Sequence, residues 1–478
     1  MMARRSSVVV LGNSVAAMFA AISLDRAGCT VVLVSPSARL GGHFAGLEVA
    51  GHIFDAGMVF LEFTSFNMEP GADISSYDPT RRNDVGRFLT VIERTLQEFA
   101  DWREVPTPRM RVDGSLLPDL LIANQLSSLH SLAPNMVAKI RYELQELTAG
   151  TRGPLHTSRK ATDALFLTYD LETVSLANHG QTFHELFIEP FCRKVTAQST
   201  AVCVPPFHRM AWLPLFYPET LLRELDGNPQ SLPATVFSYP TAGTLASVVR
   251  QVETALRSSP GIAVVAGKPV ALTTTDGHGP FTLTTSAGQA IHADALVWAS
   301  AGEELLTLCG HDTSAAADKT TLVLASVLVR SELVTSNIST ILIPESPHLP
   351  FRVTNQTYGA GVDEALSRIS CEWNVALLPE VVDRERVGQR VRDALCELNV
   401  ISRGDAVTEV RVDILKGALP LPTGGNVERS VRIGAALDAL LPTVPRVGSG
   451  APFGAASLND QIIQGLKLAH DLRWMERA

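Results

Sequence analysis

The sequence has few cysteines, no run of basic residues and no long uninterrupted apolar stretch. Its six cysteines are scattered without CxxC spacing, which predicts small core residues rather than a zinc knuckle or a disulfide framework. The formal net charge of -9 argues against a nucleic-acid-binding surface, which needs a basic stripe. No apolar stretch has the length that spans a bilayer. We therefore expect a globular cytoplasmic protein without a nucleic-acid partner or a membrane span.

Motifs of several enzyme classes are missing as well. There is no GxSxG elbow, no HExxH helix and no phosphate-binding P-loop, and no metal site is predicted. Hydrolase and kinase mechanisms therefore have no support. The chain has 478 residues, of which 46% are hydrophobic and 19% charged, and this is typical of a well-packed protein with more than one domain.

The N-terminal residues predict a strand, a tight turn and a helix. Residues 1–21 combine a basic head with an apolar run, as a signal peptide does, but Gly12 and Ser14 interrupt that run. A valine-rich strand at 7–11, followed by a turn, a helix and a second buried strand at 30–34, explains the same residues better. The pattern is that of a βαβ unit.

The turn of this unit carries a degraded dinucleotide-binding fingerprint. The usual pattern is GxGxxG/A, and here it reads Gly12-x-Ser14-x-x-Ala17, with serine in place of the middle glycine. Such a turn directs backbone N–H groups and a helix dipole at a pyrophosphate. Taken alone, the pattern fits a βαβ turn without a ligand equally well.

A second departure lies at the end of the second strand. An acidic residue there usually holds the ribose hydroxyls of the adenosine, whereas this chain has Ser35. A serine forms one neutral hydrogen bond, which is weaker than the charge-assisted bond it replaces. The missing acid and the nearby Arg39 also permit a 2′-phosphate, so a site for NADP remains open at this point.

The next two segments carry a more specific resemblance. Residues 39–44 read RLGGHF, and residues 51–58 read GHIFDAGM. Together they resemble the R-x-G-G segment and the F-D-x-G hairpin of the FAD proteins that include amine oxidases, protoporphyrinogen oxidases and UDP-galactopyranose mutases. The resemblance implies that Gly41 and Gly42 pass the backbone close to the flavin ribityl and phosphates, where a side chain would block the approach.

Two further segments agree with this family. Residues 237–244 resemble its YP-x-G-G entry to a helix, and Val270 matches the position that touches adenine through the backbone. Residues 446–454 form a glycine-rich strand end that includes Gly450. In the family, the helix that follows points its N-terminus at the pyrimidine edge of the flavin. The residues that open this helix here are Ser457, Leu458 and Asn459.

The resemblance implies an α/β fold: a discontinuous Rossmann-like FAD-binding domain with a substrate domain of mixed sheet and helices. We predict that residues 1–90, 235–305 and 425–478 form the FAD-binding domain. The substrate-binding domain then comprises residues 91–234, which read as a largely helical insertion, and residues 306–424, which read as an antiparallel sheet.

Three residues are candidates for chemistry beside the flavin. His43 directly follows the glycine pair, although a histidine in a turn explains it equally well. Arg352 could bind a carboxylate or phosphate of the substrate, and a surface ion pair is the alternative. Lys416 could hold a water near the flavin N5, as a lysine does in amine-oxidising relatives, or could simply be solvated.

Other residues of the substrate domain are weaker candidates. Strand alternation puts Glu372 and Asn374 on one face of the sheet and Trp373 on the other. Arg209 and Tyr217 could close a pocket, but packing of their loop explains them equally well.

The leading functional hypothesis is an FAD-dependent oxidoreductase that takes a hydride from a small molecule. A second hypothesis is a non-redox mutase resembling UDP-galactopyranose mutase, in which arginines such as Arg352 clamp a diphosphate. A third is a scaffold that has lost FAD, because two fingerprint positions are altered.

Overall fold

The computed structural model describes residues 6–63, 73–78, 88–150, 168–205, 215–228, 236–311, 313, 317–378, 383–453 and 455–475. The helices are α1 (Val15–Arg26), α2 (Leu89–Gln97), α3 (Pro134–Ala149), α4 (Leu171–His179), α5 (Gln181–Phe183), α6 (Glu189–Thr196), α7 (Pro218–Leu225), α8 (Leu245–Ser258), α9 (Gly302–Leu308), α10 (Gln356–Ala360), α11 (Arg384–Glu397), α12 (Gly424–Leu440) and α13 (Leu458–Met475). Within these residues, no helix combines the length and the hydrophobicity that crossing a membrane requires.

The strands are β1 (Ser7–Leu11), β2 (Thr30–Ser35), β3 (Leu47–Val49), β4 (His52–Phe54), β5 (Leu61–Glu62), β6 (Trp102–Val105), β7 (Arg109–Val112), β8 (Ser115–Pro118), β9 (Phe237–Pro240), β10 (Ile262–Ala266), β11 (Pro269–Thr274), β12 (Phe281–Thr285), β13 (Ala290–Ala293), β14 (Ala295–Trp298), β15 (Lys319–Arg330), β16 (Thr340–Leu342), β17 (Arg352–Asn355), β18 (Leu366–Asn374) and β19 (Val407–Pro420).

The N-terminal βαβ unit forms the centre of a parallel sheet with the strand order β10-β2-β1-β14. Val9 on β1 lies between Val32 and Leu296 on the neighbouring strands. Strands buried on both faces need continuous apolar runs, which is why the valine-rich segments were recognisable from the sequence. The fold class predicted from the sequence is confirmed, whereas the exact domain boundaries stay a prediction.

Helix α13 returns the C-terminal part of the chain to this sheet and crosses α1 at close range. A Cβ atom on Gly465 would lie 2.7 Å from the carbonyl oxygen of Ala16 and from the amide nitrogen of Ala20, so only glycine permits the crossing. The Ser23 hydroxyl donates a hydrogen bond of 2.8 Å to the Gly465 carbonyl at the same place. The two helices are therefore held backbone to backbone.

A second, larger sheet has the strand order β19-β15-β18-β17-β16-β7-β8. Helix α11 covers one face, where Val323, Trp373 and Val391 share a core cluster. The other face carries the polar side chains of β17 and β18 and turns toward the rest of the molecule. Glu372 and Asn374 lie on this second face, as strand alternation predicted.

In the described part of the segment 91–234, strands occur beside the helices that its sequence pattern predicted. The predicted helices near 88–99 and 135–147 are present, but β7 and β8 form a hairpin that joins the large sheet. Its turn, Asp113-Gly114, has positive φ at both residues, which suits the right-handed twist of a two-residue hairpin. A short hairpin has too few residues for its alternation to stand out beside longer helical patterns.

The buried carboxylate of Asp55 links the F-D-x-G hairpin to the start of α8. It accepts hydrogen bonds from the amides of Leu245 at 3.1 Å and Ala246 at 2.8 Å, and a further bond from the Tyr239 hydroxyl. Burial raises the pKa of the Asp55 carboxyl, and these three hydrogen bonds oppose the shift. The motifs at 51–58 and 237–244 are thus one hydrogen-bonded unit.

The side chain of Gln356 attaches this unit to the large sheet. Its Oε1 accepts a hydrogen bond of 3.0 Å from the amide of Asp55, and its Nε2 donates one of 3.1 Å to the carbonyl of the same residue. Gln356 opens α10, directly after β17. The backbone of Asp55 is therefore bound to the large sheet, while its side chain is bound to α8.

We predict that Asp55→Ala lowers the free energy of unfolding by about 3 kcal/mol or more, because it leaves three buried donors without an acceptor. Urea unfolding of both proteins measures the difference. The matched control is Asp383→Ala, which removes the more exposed cap of α11 and should cost about 1 kcal/mol. Equal unfolding midpoints for wild type and Asp55→Ala would contradict the assignment.

Candidate functional site

The turn between β1 and α1 keeps its geometry although serine replaces the middle glycine. Ser14 has an extended backbone with φ of -71° and caps α1, because its hydroxyl accepts a hydrogen bond of 3.3 Å from the amide of Ala17. Gly12 is indispensable, since its φ is +140° and a Cβ atom would lie 3.0 Å from Ala299. The first two glycines of the fingerprint correspond to positions 12 and 14, and this turn requires glycine only at position 12.

The glycine pair passes beside this turn. Gly41 and Gly42 have φ values of +99° and +58°, and the Gly41 amide donates a hydrogen bond of 2.6 Å to the carbonyl of Asn13. A Cβ atom on Gly41 would lie 2.3 Å from the Val249 side chain of α8. Gly42 is exposed, and its missing side chain leaves open space that begins 3.8 Å from the Cα of Ser14.

The N-terminus of α13 lies next to the N-terminus of α1. Gln461 joins them, because its Oε1 accepts a hydrogen bond of 3.4 Å from the Ala16 amide. Gln464, one turn further along, accepts one of 2.7 Å from the Gly448 amide. A Cβ atom on Gly448 would lie 3.0 Å from the Ser14 hydroxyl. Two positive helix ends thus meet at one place, which favours an anionic ligand.

The residues predicted to open α13 have different roles. The exposed Ser457 accepts a hydrogen bond of 3.2 Å from the Asp460 amide through its hydroxyl and so satisfies an N-terminal donor of the helix. Leu458 is half-buried as the first helical residue. The buried Oδ1 of Asn459 has no hydrogen-bond partner among the described residues, so Ser457 rather than Asn459 satisfies that donor. Gly450 is a close-contact position, because a Cβ atom there would lie 2.8 Å from the Ser300 carbonyl.

His43 directly follows the glycine pair, on the surface formed by Gly41-Gly42 and the N-termini of α1 and α13, which we call the cleft. Solvent reaches its side chain, yet the surrounding protein lowers the pKa of His43 from 6.5 to about 4 through desolvation. The ring of Phe44 packs against it with centroids 3.8 Å apart. The cleft therefore presents a neutral imidazole beside the glycine pair.

No acidic residue stands at the end of β2, the position that usually contacts the adenosine ribose. The buried Ser35 hydroxyl donates to the carbonyl of Ser37 and accepts a hydrogen bond of 3.2 Å from its amide. Arg39 points to the surface, where its Nη2 is 4.0 Å from the carboxylate of Glu48. Val270 on β11 is 55% exposed. The Ser35 hydroxyl is thus already hydrogen-bonded, whereas Arg39 has only a long ion pair at the surface.

The large sheet brings Arg352 together with Glu372 on the face opposite α11. The guanidinium Nε and Nη2 each lie 2.7 Å from one carboxylate oxygen, and the two side chains are only 16% and 7% exposed. A Cβ atom on Gly57 would lie 2.8 Å from both carboxylate oxygens, so the ion pair touches the F-D-x-G turn. The proposed surface ion pair is in fact a buried one.

Lys416 is not brought next to these groups. It is exposed on the edge strand β19. Its neighbour Leu415 packs into the core on the face that carries Glu372, and successive side chains of a strand point to opposite faces. Arg209 lies outside the described residues, and Tyr217, at the start of α7, is 43% exposed.

Sequence reasoning missed Gln356, Gln461 and Gln464. The two glutamines of α13 are three residues apart and therefore share one helix face, which is a signal for a polar contact with a neighbouring element. Gln356 offers no such signal, because its partner is the backbone of a hairpin 301 residues away.

No protein-family model and no curated protein matches the chain, but solved structures match nearly its whole length. Reduced UDP-galactopyranose mutase has a TM-score of 0.72 at 14% identity, with 98% of this chain and 96% of that chain covered. A putative protoporphyrinogen oxidase from Exiguobacterium has 0.67 at 15% identity, with 99% and 100% covered. Cyclohexylamine oxidase from Brevibacterium oxydans has 0.62 at 14% identity, again with 99% and 100% covered.

The chain has the same fold as these three solved structures. The resemblance drawn from residues 39–58, 237–244 and 446–459 is thereby confirmed at the level of the fold. At these identities the likeness does not distinguish an oxidase from a mutase.

We predict that His43→Gln flattens the pH dependence of the free energy of unfolding. Unfolded His43 takes up a proton near its ordinary pKa of 6.5, whereas the folded protein resists protonation down to about 4. Stability of the wild type therefore falls as pH drops through this window, and the glutamine variant lacks this part of the loss. His278→Gln, an exposed replacement, is the control. Parallel curves for wild type and His43→Gln from urea unfolding would refute the placement of His43.

Proposed function

We propose that the chain binds FAD in the cleft beside Gly41-Gly42 and acts as an FAD-dependent oxidoreductase on a small molecule. The observation that carries the proposal is the meeting of the α1 and α13 N-termini with the glycine pair at the turn that contains Ser14. Backbone N–H groups and two helix dipoles at one place suit a diphosphate. The likeness to UDP-galactopyranose mutase, a putative protoporphyrinogen oxidase and cyclohexylamine oxidase supports FAD as the ligand.

The residues present fit the diphosphate. The amides of Ala16 and Ala17 are held by Gln461 and Ser14 at 3.4 Å and 3.3 Å. Both bonds are longer than the usual range of roughly 2.7–3.2 Å, so a charged oxygen is a stronger acceptor for either donor. Gly42 adds no side chain to the approach.

Bound FAD supplies hydride-accepting chemistry, and the protein supplies position, polarity and exclusion of water. The N-terminus of α13 places a positive helix end at the cleft, which favours negative charge there. His43, neutral down to about pH 4, accepts a hydrogen bond from a substrate group without introducing charge.

A second candidate is a flavin-dependent sugar-nucleotide mutase. The TM-score of 0.72 with reduced UDP-galactopyranose mutase favours it. A third is a scaffold that no longer binds FAD, because Ser14 and Gln461 already satisfy α1 donors and Ser35 replaces the ribose acid.

The first test is the visible spectrum of the purified protein, followed by titration with FAD. We predict bands of oxidised flavin, and an affinity for FAD that Gly42→Ala weakens by about tenfold or more, because the methyl group enters the approach path. Gly51→Ala is the matched control: its φ of +83° is equally unfavourable for alanine, and it too has nothing nearby, but it lies in the β3–β4 turn. A colourless protein that takes up no FAD would support the scaffold and overturn the proposal.

Reduction separates the two enzymatic candidates. An oxidoreductase consumes an electron acceptor as substrate is turned over, whereas the mutase requires pre-reduced flavin and consumes none. Candidate amines and UDP-galactopyranose are compared with oxidised and with reduced protein. Turnover of the sugar nucleotide by reduced protein alone would replace our proposal with the mutase.

We predict that Ser35→Glu tightens FAD binding by about tenfold, because a carboxylate at the end of β2 forms charge-assisted hydrogen bonds with the ribose hydroxyls. Isothermal titration measures the change. Thr30→Glu adds the same charge at the exposed start of β2 and should leave the affinity unchanged. If both variants bind FAD like the wild type, Ser35 does not face the adenosine.

A further inference from the structure

The charges on the large-sheet face that carries the polar side chains of β17 and β18 are balanced. The Arg352 guanidinium donates hydrogen bonds from Nε and Nη2 to Glu372. Nothing among the described residues accepts a hydrogen bond from its Nη1. The pair is bidentate and sheltered, with Arg352 16% and Glu372 7% exposed. An ion pair of this geometry holds the guanidinium in one orientation and cancels its charge.

Two neighbouring cations also lie near groups that offset their charge. Arg368, on the same face of β18, has its Nη2 3.5 Å from the carboxylate of Glu364 and interacts electrostatically with the buried Asp55, although its Nε and Nη2 have no hydrogen-bond partner among the described residues. Lys194 of α6 donates to the carbonyls of Glu345, Ser346 and Pro350 at 2.8, 3.0 and 3.1 Å.

We propose that Glu372 sets the charge preference of the substrate site. By cancelling Arg352 it excludes substrates that bear a diphosphate, and it leaves Nη1 to donate a hydrogen bond to a neutral acceptor such as a carbonyl or hydroxyl oxygen. The inference rests on the proposed function, because it takes the sheet face beside Gly57 as the substrate side.

The physical reason lies in the position of the carboxylate. A Cβ atom on Gly57 would lie 2.8 Å from both of its oxygens, so the carboxylate packs closely against this turn. A change of the Glu372 rotamer would break this contact with Gly57. The Glu372 carboxylate, already paired with the guanidinium, would repel a diphosphate that approached Arg352. In a sheltered site this repulsion is weakly screened by salt. A neutral acceptor meets no such repulsion.

The experiment compares binding of pyrophosphate and of UDP to FAD-saturated wild type and Glu372→Gln by isothermal titration. Saturation with FAD fills the site beside Ser14, so that the probes report on the substrate side. We expect no measurable binding to the wild type, and an affinity for Glu372→Gln that is higher by about tenfold or more, because the glutamine frees the charge of Arg352. The double variant Arg352→Met/Glu372→Met should behave like the wild type.

Two results would overturn the inference. One is binding of UDP or pyrophosphate by FAD-saturated wild type that the double variant abolishes. The other is a folded Glu372→Gln protein with no gain in affinity. If Glu372→Gln does not fold, as circular dichroism would show, the wild type and the double variant decide alone: removal of a whole buried pair is tolerated better than removal of one partner.

Failure of the proposed function is distinguishable from failure of this inference. If the protein takes up no FAD, the same titrations are run on the cofactor-free proteins. Wild type and Glu372→Gln then share an identical site at Ser14, so any difference between them still reports on Arg352.

Discussion

A single buried carboxylate holds together the segments on which the cleft depends. Asp55 accepts hydrogen bonds from the first two amides of α8, and its backbone is bound by Gln356 of the large sheet. The hairpin that contains Asp55 follows the glycine pair directly in the chain. Any displacement of Asp55 therefore moves the glycine pair relative to both α8 and the large sheet. Burial of the charge is offset by the donors that converge on it, which makes the arrangement specific for a carboxylate.

Small residues allow the close approach of α13 to α1, which brings the N-termini of the two helices together. Gly465 and Ala16 let α13 lie against α1 backbone to backbone, and Gly448 lets the chain pass the Ser14 hydroxyl. Larger side chains at these positions would separate the two helix N-termini. Their positive ends would then no longer act on one ligand, because the field of a helix terminus falls off within about one turn.

The cleft and the large sheet differ in their electrostatics. The cleft collects helix N-termini and a neutral histidine, which favours a bound anion. The large sheet pairs Arg352 with Glu372 and places Arg368 near Glu364.

Much of the fold could be predicted from the sequence, because its signals are local. Valine runs predict buried parallel strands. Glycines at positions 12, 41 and 42 mark backbone conformations that are unfavourable for a residue with a side chain. The order of these motifs along the chain was sufficient to indicate the superfamily. The alternation that put Glu372 and Asn374 on one face is equally local.

The site itself depends on contacts between distant segments, and these only the tertiary structure decided. The register of β17 against β18 places Arg352 opposite Glu372, which turned a candidate substrate clamp into a balanced ion pair. The outward face of edge strand β19 left Lys416 in solvent. Gln461 and Asp55 were matched with partners hundreds of residues away. Sequence alone determined which residue types stand where, whereas pairing across the sheet and burial determined which of them keep an available charge.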